Sequence, residues 1–290
     1  MLMKKASKDY DDNELALVYQ YVGMTIAALW IGALRALFYD TAYLPSMSIL
    51  HRLGALLVSI IGYAGIAFLF KAYDHICGGI ALVIANLATF LMYFINLALY
   101  PGQESFTLGK IILAIWFFVV IAQFLIDQGS CPVDVTNPQQ RKQLFNPYSL
   151  YAVATAVCWS WFFVWNSWFI KSEIMTPVQS GMITESLILV VAVAWYLWKN
   201  KKDGLTRIRT GLATKDRPMF LGIGALNVLS VYLLYYGYQT NPANIINVIK
   251  LFSIPVAAFA CWFFLKDQLT RKQTILLGIG FLLMVGFIFV

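Results

Sequence analysis

Residues 244–265 read NIINVIKLFSIPVAAFACWFFL, and the fold of the chain turns on this run. It is apolar enough and long enough to cross a hydrocarbon layer of about 30 Å, yet it holds a lysine, Lys250, and a proline, Pro255, in its interior. Counting about 1.5 Å per residue from Pro242 puts Lys250 about 12 Å below the surface. An unpaired ammonium at that depth costs several kcal/mol, so Lys250 is expected to face protein or water and to have a partner. After the run come the charged segment KDQLTRK, residues 266–272, and a second apolar stretch that reaches Val290.

The same alternation runs through all 290 residues, of which 60% are hydrophobic and 12% charged, about half the usual charged fraction. This is the composition of an all-α integral membrane protein. The first apolar block starts at Leu15 and runs to Phe38 with no small-residue cleavage site after it, so it is read as a retained helix. Cys77, Cys131, Cys158 and Cys261 show no paired spacing, which argues against a disulfide framework or a zinc site. The net charge of +7 comes from basic residues at helix ends, where membrane topology accounts for them, and nucleic acid is not an expected partner. No P-loop, nucleophile elbow or paired acidic motif is present, and no cofactor is implied.

Hydropathy and helix breakers predict nine membrane-length segments, at 15–38, 48–70, 76–98, 107–127, 148–170, 178–198, 218–238, 242–265 and 273–290. With the N-terminus in the cytoplasm, all Lys and Arg except Arg35, Arg52, Lys110, Lys171 and Lys250 fall on the inner side. That is sixteen of 21, an asymmetry that favours this orientation and puts the C-terminus outside. The expected organisation is a cytoplasmic tail, 1–14, a first repeat of four helices, 15–127, a polar linker, 128–147, and a second repeat of five helices, 148–290. Glu104-Ser-Phe-Thr107 resembles Asp267-Gln-Leu-Thr270, each lying between the end of one helix and the start of the next, which points to an inverted-repeat transporter bundle.

Three helices that enter from the outer face share one device. Pro45 precedes Arg52 by seven residues, Pro177 precedes Glu185 by eight, and Pro242 precedes Lys250 by eight. At about 1.5 Å per residue the three charges lie about 10 to 12 Å deep and can converge on one cavity. The plainer reading is that Glu185 and Lys250 only neutralise each other while Arg52 snorkels outward; ionisable groups inside a membrane are functional by default, which favours the site. Asn247 and Ser253 lie three residues either side of Lys250 and border its face, although Ser253 serves equally well as a bond between helices. Pro255 frees the carbonyl of Leu251 and bends the helix. Trp161, Trp165 and Trp168 fall on one helical stripe, and with Tyr232, Tyr235 and Tyr236 they offer aromatic surface for a substrate. For Trp168 an interfacial belt is the better reading. Arg35 reads as a snorkelling anchor, and His51 and His75 as polar end residues.

The last half, from Tyr148, resembles the five-helix unit of the drug/metabolite transporter superfamily, the EamA-type permeases and their nucleotide-sugar and triose-phosphate relatives. The resemblance is carried by AVCWSWFFVWNSW at 156–168, Pro177, and SIPVAAFACWFFLKDQLTRKQTILLGIGFLLMVG at 253–286. Pro255 matches the family's mid-helix proline, Asp267 stands near its usual glutamate, and Gln273 and Gly278 match the start of its final helix. Asn247-Val-Ile-Lys250 is similar to the Asn-x-x-Lys that the phosphate-sugar branch sets against substrate phosphate. The resemblance implies a secondary transporter or exporter that moves a small anionic or zwitterionic metabolite, free or lipid-linked, across a bacterial inner membrane by alternating access. The expected substrate-binding residues are Lys250, Glu185, Arg52, Asn247, Trp161, Trp165, Tyr235 and Ser253. Membrane lipids are expected partners, and a homodimer is compatible with the sequence. The alternative from another class is a membrane-embedded enzyme, or a lipid-head-group flippase subunit, acting at the outer interface.

Overall fold

The structure is a computed structural model that describes residues 13–39, 42–76, 78–100, 106–126, 147–210, 217–241, 246 and 270–289. Among these residues there is no strand. The helices are α1 Asn13–Tyr39, α2 Ile49–His75, α3 Gly78–Ala85, α4 Leu87–Leu99, α5 Leu108–Ile126, α6 Pro147–Lys171, α7 Pro177–Asn200, α8 Gly204–Thr210, α9 Arg217–Thr240 and α10 Arg271–Phe289, with a 3-10 turn at Lys201–Asp203. Every expected segment that falls among the described residues coincides with a helix, and the expected span 76–98 is interrupted only at Asn86. There the side-chain Nδ2 donates to the carbonyl of Leu82, 2.7 Å away, while the backbone N–H keeps its own bond to the same carbonyl at 2.9 Å. The run 242–265, with Lys250 and Pro255, lies outside the described residues apart from residue 246. Among the described residues six stretches are long and apolar enough to cross a membrane: Glu14–Tyr39, Ile49–Tyr73, Ile80–Leu99, Tyr148–Lys171, Pro177–Asn200 and Arg217–Thr240.

The chain forms two compact units. One takes its described residues from 64–160 and 244–290, the other from 10–63 and 161–243.

In the second of these units, α1, α7 and α9 bury polar side chains among apolar ones and expose other large apolar residues. Leu17, Tyr21, Met24 and Ala28 fall at helical spacing on the buried stripe of α1, and Gln20 and Thr25 are buried beside them. On α9, Gly224, Val228, Tyr232 and Tyr235 are buried. Its outer stripe is Leu226, Leu229 and Leu233, the last 75% exposed. Water would penalise such a stripe; hydrocarbon does not, and this inversion marks a membrane-embedded bundle.

Glycines set the spacing of that bundle. A Cβ on Gly224 of α9 would stand 2.0 Å from the carbonyl oxygen of Gln20 on α1, and one on Gly23 of α1 would stand 2.2 Å from that of Leu221 on α9. The two backbones therefore meet directly, as small residues allow in membranes. Asn166 of α6 ties that helix to α7: its Oδ1 accepts from the hydroxyls of Ser180 and Thr184, both at 3.1 Å, and its Nδ2 donates to the carbonyl of Phe162 at 2.8 Å. At one end of the unit Lys199 pairs with Glu14 at 3.0 Å and Tyr19 donates to the carbonyl of Ile208 at 2.5 Å. The start of α1 and the basic segment after α7 thus share a side, as the charge distribution requires.

The other unit has an aromatic centre. Phe90 of α4 stacks on Phe117 of α5 with ring centroids 4.4 Å apart and meets Phe287 of α10 edge-on at 4.9 Å. Thr155 of α6 donates to the carbonyl of Gly65 on α2 at 3.0 Å. The two related tetrapeptides each end on a helix cap. The hydroxyl of Thr107 accepts from the N–H of Lys110 at 3.4 Å, and that of Thr270 accepts from the N–H of Gln273 at 3.2 Å while Gln273 Oε1 accepts from the N–H of Thr270. Lys110 itself is buried, its ammonium 5.3 Å from the ring centre of Tyr93 and 5.7 Å from that of Phe287.

Candidate substrate-binding site

The proline that opens α7 is preorganised for a first helical turn, and Thr176 before it completes a capping box with Gln179. That start sets the register of the helix, and eight residues on, about 12 Å along the axis, it delivers Glu185. Glu185 is 3% exposed. Its carboxylate lies within electrostatic range of Tyr21 on α1 and of Tyr232 and Tyr235 on α9. Thr25 of α1 donates to the backbone carbonyl of Glu185 at 3.2 Å, so the turn of α7 that bears the carboxylate is pinned to its neighbour. Tyr232 in turn donates to the carbonyl of Ala28 at 3.1 Å, and Tyr235 packs against Tyr238 with ring centroids 5.8 Å apart.

Of the residues expected to bind substrate, the described residues bring Glu185 and Tyr235 together. Arg52 is exposed on α2. Trp161 is 38% exposed, and Trp165 meets Trp168 edge-on at 5.6 Å. His51, expected to be an ordinary end residue, sets its ring edge-on to Trp168 at 6.0 Å and to Phe169 at 6.3 Å. Lys250, Asn247 and Ser253 lie outside the described residues.

Between the C-terminal end of α1 and the start of α7 is a cavity of about 170 Å³, lined by Gly32, Arg35, Ala42, Tyr43, Thr176, Val178, Gln179 and Met182. Arg35 is not the outward-reaching anchor that its position suggested: it is half-buried, and its Nη1 donates to the hydroxyl of Thr176 at 2.8 Å. Gln179 Nε2 donates to the carbonyl of Ala42 at 2.8 Å. Met182, three residues before Glu185 and on the same side of α7, connects the cavity lining to the carboxylate.

Sequence reasoning passed over Tyr21, Thr25, Asn166, Ser180 and Thr184, because hydroxyl, phenol and amide groups within apolar helices carry no spacing that marks a site. A signal was available for Thr176 and Gln179, since Thr-Pro-x-Gln before an apolar run is a capping box with Pro at its first helical position. No cluster of three metal-ligating side chains exists among the described residues.

A search of curated proteins finds no match. Among solved structures, one crystal structure matches over 99% of this chain and 90% of its own, with a TM-score of 0.59 at 14% identity, a likeness of fold alone. Residues 146–289 match the EamA-like transporter family. Residues 146–289 thus match an EamA-like transporter module, consistent with the drug/metabolite transporter superfamily, in a chain whose apolar helices mark it as a multi-pass membrane protein.

Proposed function

We propose that the protein is a secondary transporter or exporter that moves a small anionic or zwitterionic metabolite across a bacterial inner membrane by alternating access, N-terminus inside and C-terminus outside. The observation that carries this reading is Glu185, an ionisable group buried within a membrane-length helix with Tyr21, Tyr232 and Tyr235 in electrostatic range. An ionisable group inside a membrane span is costly, and such groups mark cargo sites or proton pathways. On this reading Lys250 and Asn247 meet the negative group of the substrate, Glu185 and Tyr235 meet its other end or its proton, and Arg52, Ser253, Trp161 and Trp165 complete the contacts. The two halves of the chain, 15–127 and 148–290, act as repeats that rock about the site, with 128–147 as their linker.

The test is uptake into liposomes containing the purified protein, screened over phosphate esters and amino acids with and without a pH gradient. For a cargo that is taken up, Glu185→Gln is expected to abolish accumulation driven by the gradient while exchange at equilibrium persists. Undiminished gradient-driven uptake by that variant would remove Glu185 from the mechanism.

A further inference from the structure

The cavity at the start of α7 does not have the buried carboxylate among its lining residues and has a different chemistry. Among its described lining residues the one that carries a charge is a cation, Arg35. Among the described residues, the guanidinium makes a single hydrogen bond, from Nη1 to the Thr176 hydroxyl, and no ion pair. A guanidinium has five N–H donors in a planar fork that matches the oxygens of a phosphate or carboxylate in pairs, so most of its capacity is uncommitted. Held half-buried and tied to Thr176, it cannot spread into bulk water as a snorkelling side chain does.

The remaining lining suits an oxyanion joined to a small apolar body. Ala42, Val178 and Met182 are apolar, Tyr43 brings a phenol, and the N-terminal end of the 24-residue α7 adds its partial positive charge, although the N–H groups of Thr176 and Gln179 are engaged in the capping box. At roughly 30 Å³ per water molecule, 170 Å³ holds about five or six waters, room for a phosphoryl group and part of its hydration shell. The carboxylate of Glu185 lies one turn farther along α7, beyond Met182.

We propose that Arg35, Thr176 and Gln179 form a phosphoryl-anion binding site at the mouth of the unit, distinct from the Glu185 site. The anion comes either from a free phosphate ester or from a phospholipid head group. Binding at this site does not require that the protein transport anything; its role as the first station for an anionic cargo does rest on the transporter reading. The two are therefore measured separately.

The full-length protein in an uncharged detergent is titrated with inorganic phosphate against sodium chloride of matched ionic strength, with the melting temperature as readout. Wild type is expected to show a saturable rise with phosphate and none with chloride. Arg35→Gln should weaken half-saturation at least tenfold, and Arg35→Lys should retain part of it, since an ammonium keeps the charge but not the fork. Ala42→Phe should fill the cavity and abolish the response with Arg35 intact, which decides the matter alone if Arg35→Gln does not fold. Wild-type half-saturation in Ala42→Phe, or in a folded Arg35→Gln, would overturn the site, as would a wild type indifferent to phosphate. Repeating the titration in nanodiscs of phosphatidylcholine or phosphatidylglycerol identifies the source: loss of the response only with the anionic lipid assigns the site to head groups, and its persistence assigns it to free anions. A variant such as Glu185→Gln that stops uptake without moving the phosphate titration keeps the transport reading and this site experimentally apart.

Discussion

Glu185 has the environment that a membrane makes most expensive, and what it exchanges there decides its role. If it only neutralises Lys250, then Glu185→Gln leaves an ammonium in hydrocarbon, and the double variant Glu185→Gln with Lys250→Met removes both charges together. The double variant is expected to recover the melting temperature lost in the single one and still to transport nothing. Recovery of transport as well, measured in liposomes, would make the pair structural. Lys250→Ala should abolish uptake while folded protein remains in the membrane, and Lys250→Arg should fail too, because a broad planar fork does not replace a compact ammonium in a shaped site. Wild-type uptake by the Ala variant would sink the assignment of Lys250 to substrate.

The contact between α1 and α9 depends on two glycines that have opposite neighbours to a third. At Gly224 an added Cβ would stand 2.0 Å from the backbone oxygen of Gln20, which has no rotamer to yield; at Gly222, two residues away, it would meet nothing within 4 Å. Gly224→Ala is expected to force the helices apart and cost about 1–3 kcal/mol, the scale of an overpacked core, seen as a lower melting temperature in detergent. Gly222→Ala should be neutral or slightly stabilising, since alanine favours a helix over glycine by roughly 1 kcal/mol. Equal behaviour of the two would show that the helices do not meet as described. The tie between α6 and α7 is softer. Asn166→Leu removes the acceptor of two buried hydroxyls, but Ser180 and Thr184 can each turn to a carbonyl of their own helix, so a cost near 1 kcal/mol is expected. A loss above about 3 kcal/mol in chemical unfolding would mean that those hydroxyls have no such recourse.

For the whole molecule the orientation in the membrane governs which face presents the Arg35 cavity. Positive charge resists translocation, and residues 199–217 carry seven Lys and Arg: Lys199, Lys201, Lys202, Arg207, Arg209, Lys215 and Arg217. The pairing of Lys199 with Glu14 keeps the start of α1 on the same side as that segment. A reporter active only in the cytoplasm should therefore be bright when inserted after Asp203 and dark when fused to Val290. A bright fusion at Val290 would restore an even number of spans and return the C-terminus to the cytoplasm.

Helix positions and membrane residence were legible in the chain, because both depend on local quantities. A run of about twenty apolar residues has nowhere to satisfy its backbone in a bilayer except within a helix, and the prolines and polar breaks at Pro147, Pro177 and Arg217 mark where each helix begins. Counting along α7 also put Glu185 well inside that helix, where the fold buries it. Rotation about the axis was not legible: in an amphipathic soluble helix the polar face declares the outside, whereas here large apolar residues such as Leu226 and Leu233 face outward and the inward stripe is mixed. Which side Arg52 takes, which tyrosines stand around Glu185, and whether Arg35 reaches out or folds back onto Thr176 all depend on that rotation and on the partner helix. Tertiary packing decided them, through glycines whose only sequence mark is the absence of a side chain and whose effect is to let two backbones touch.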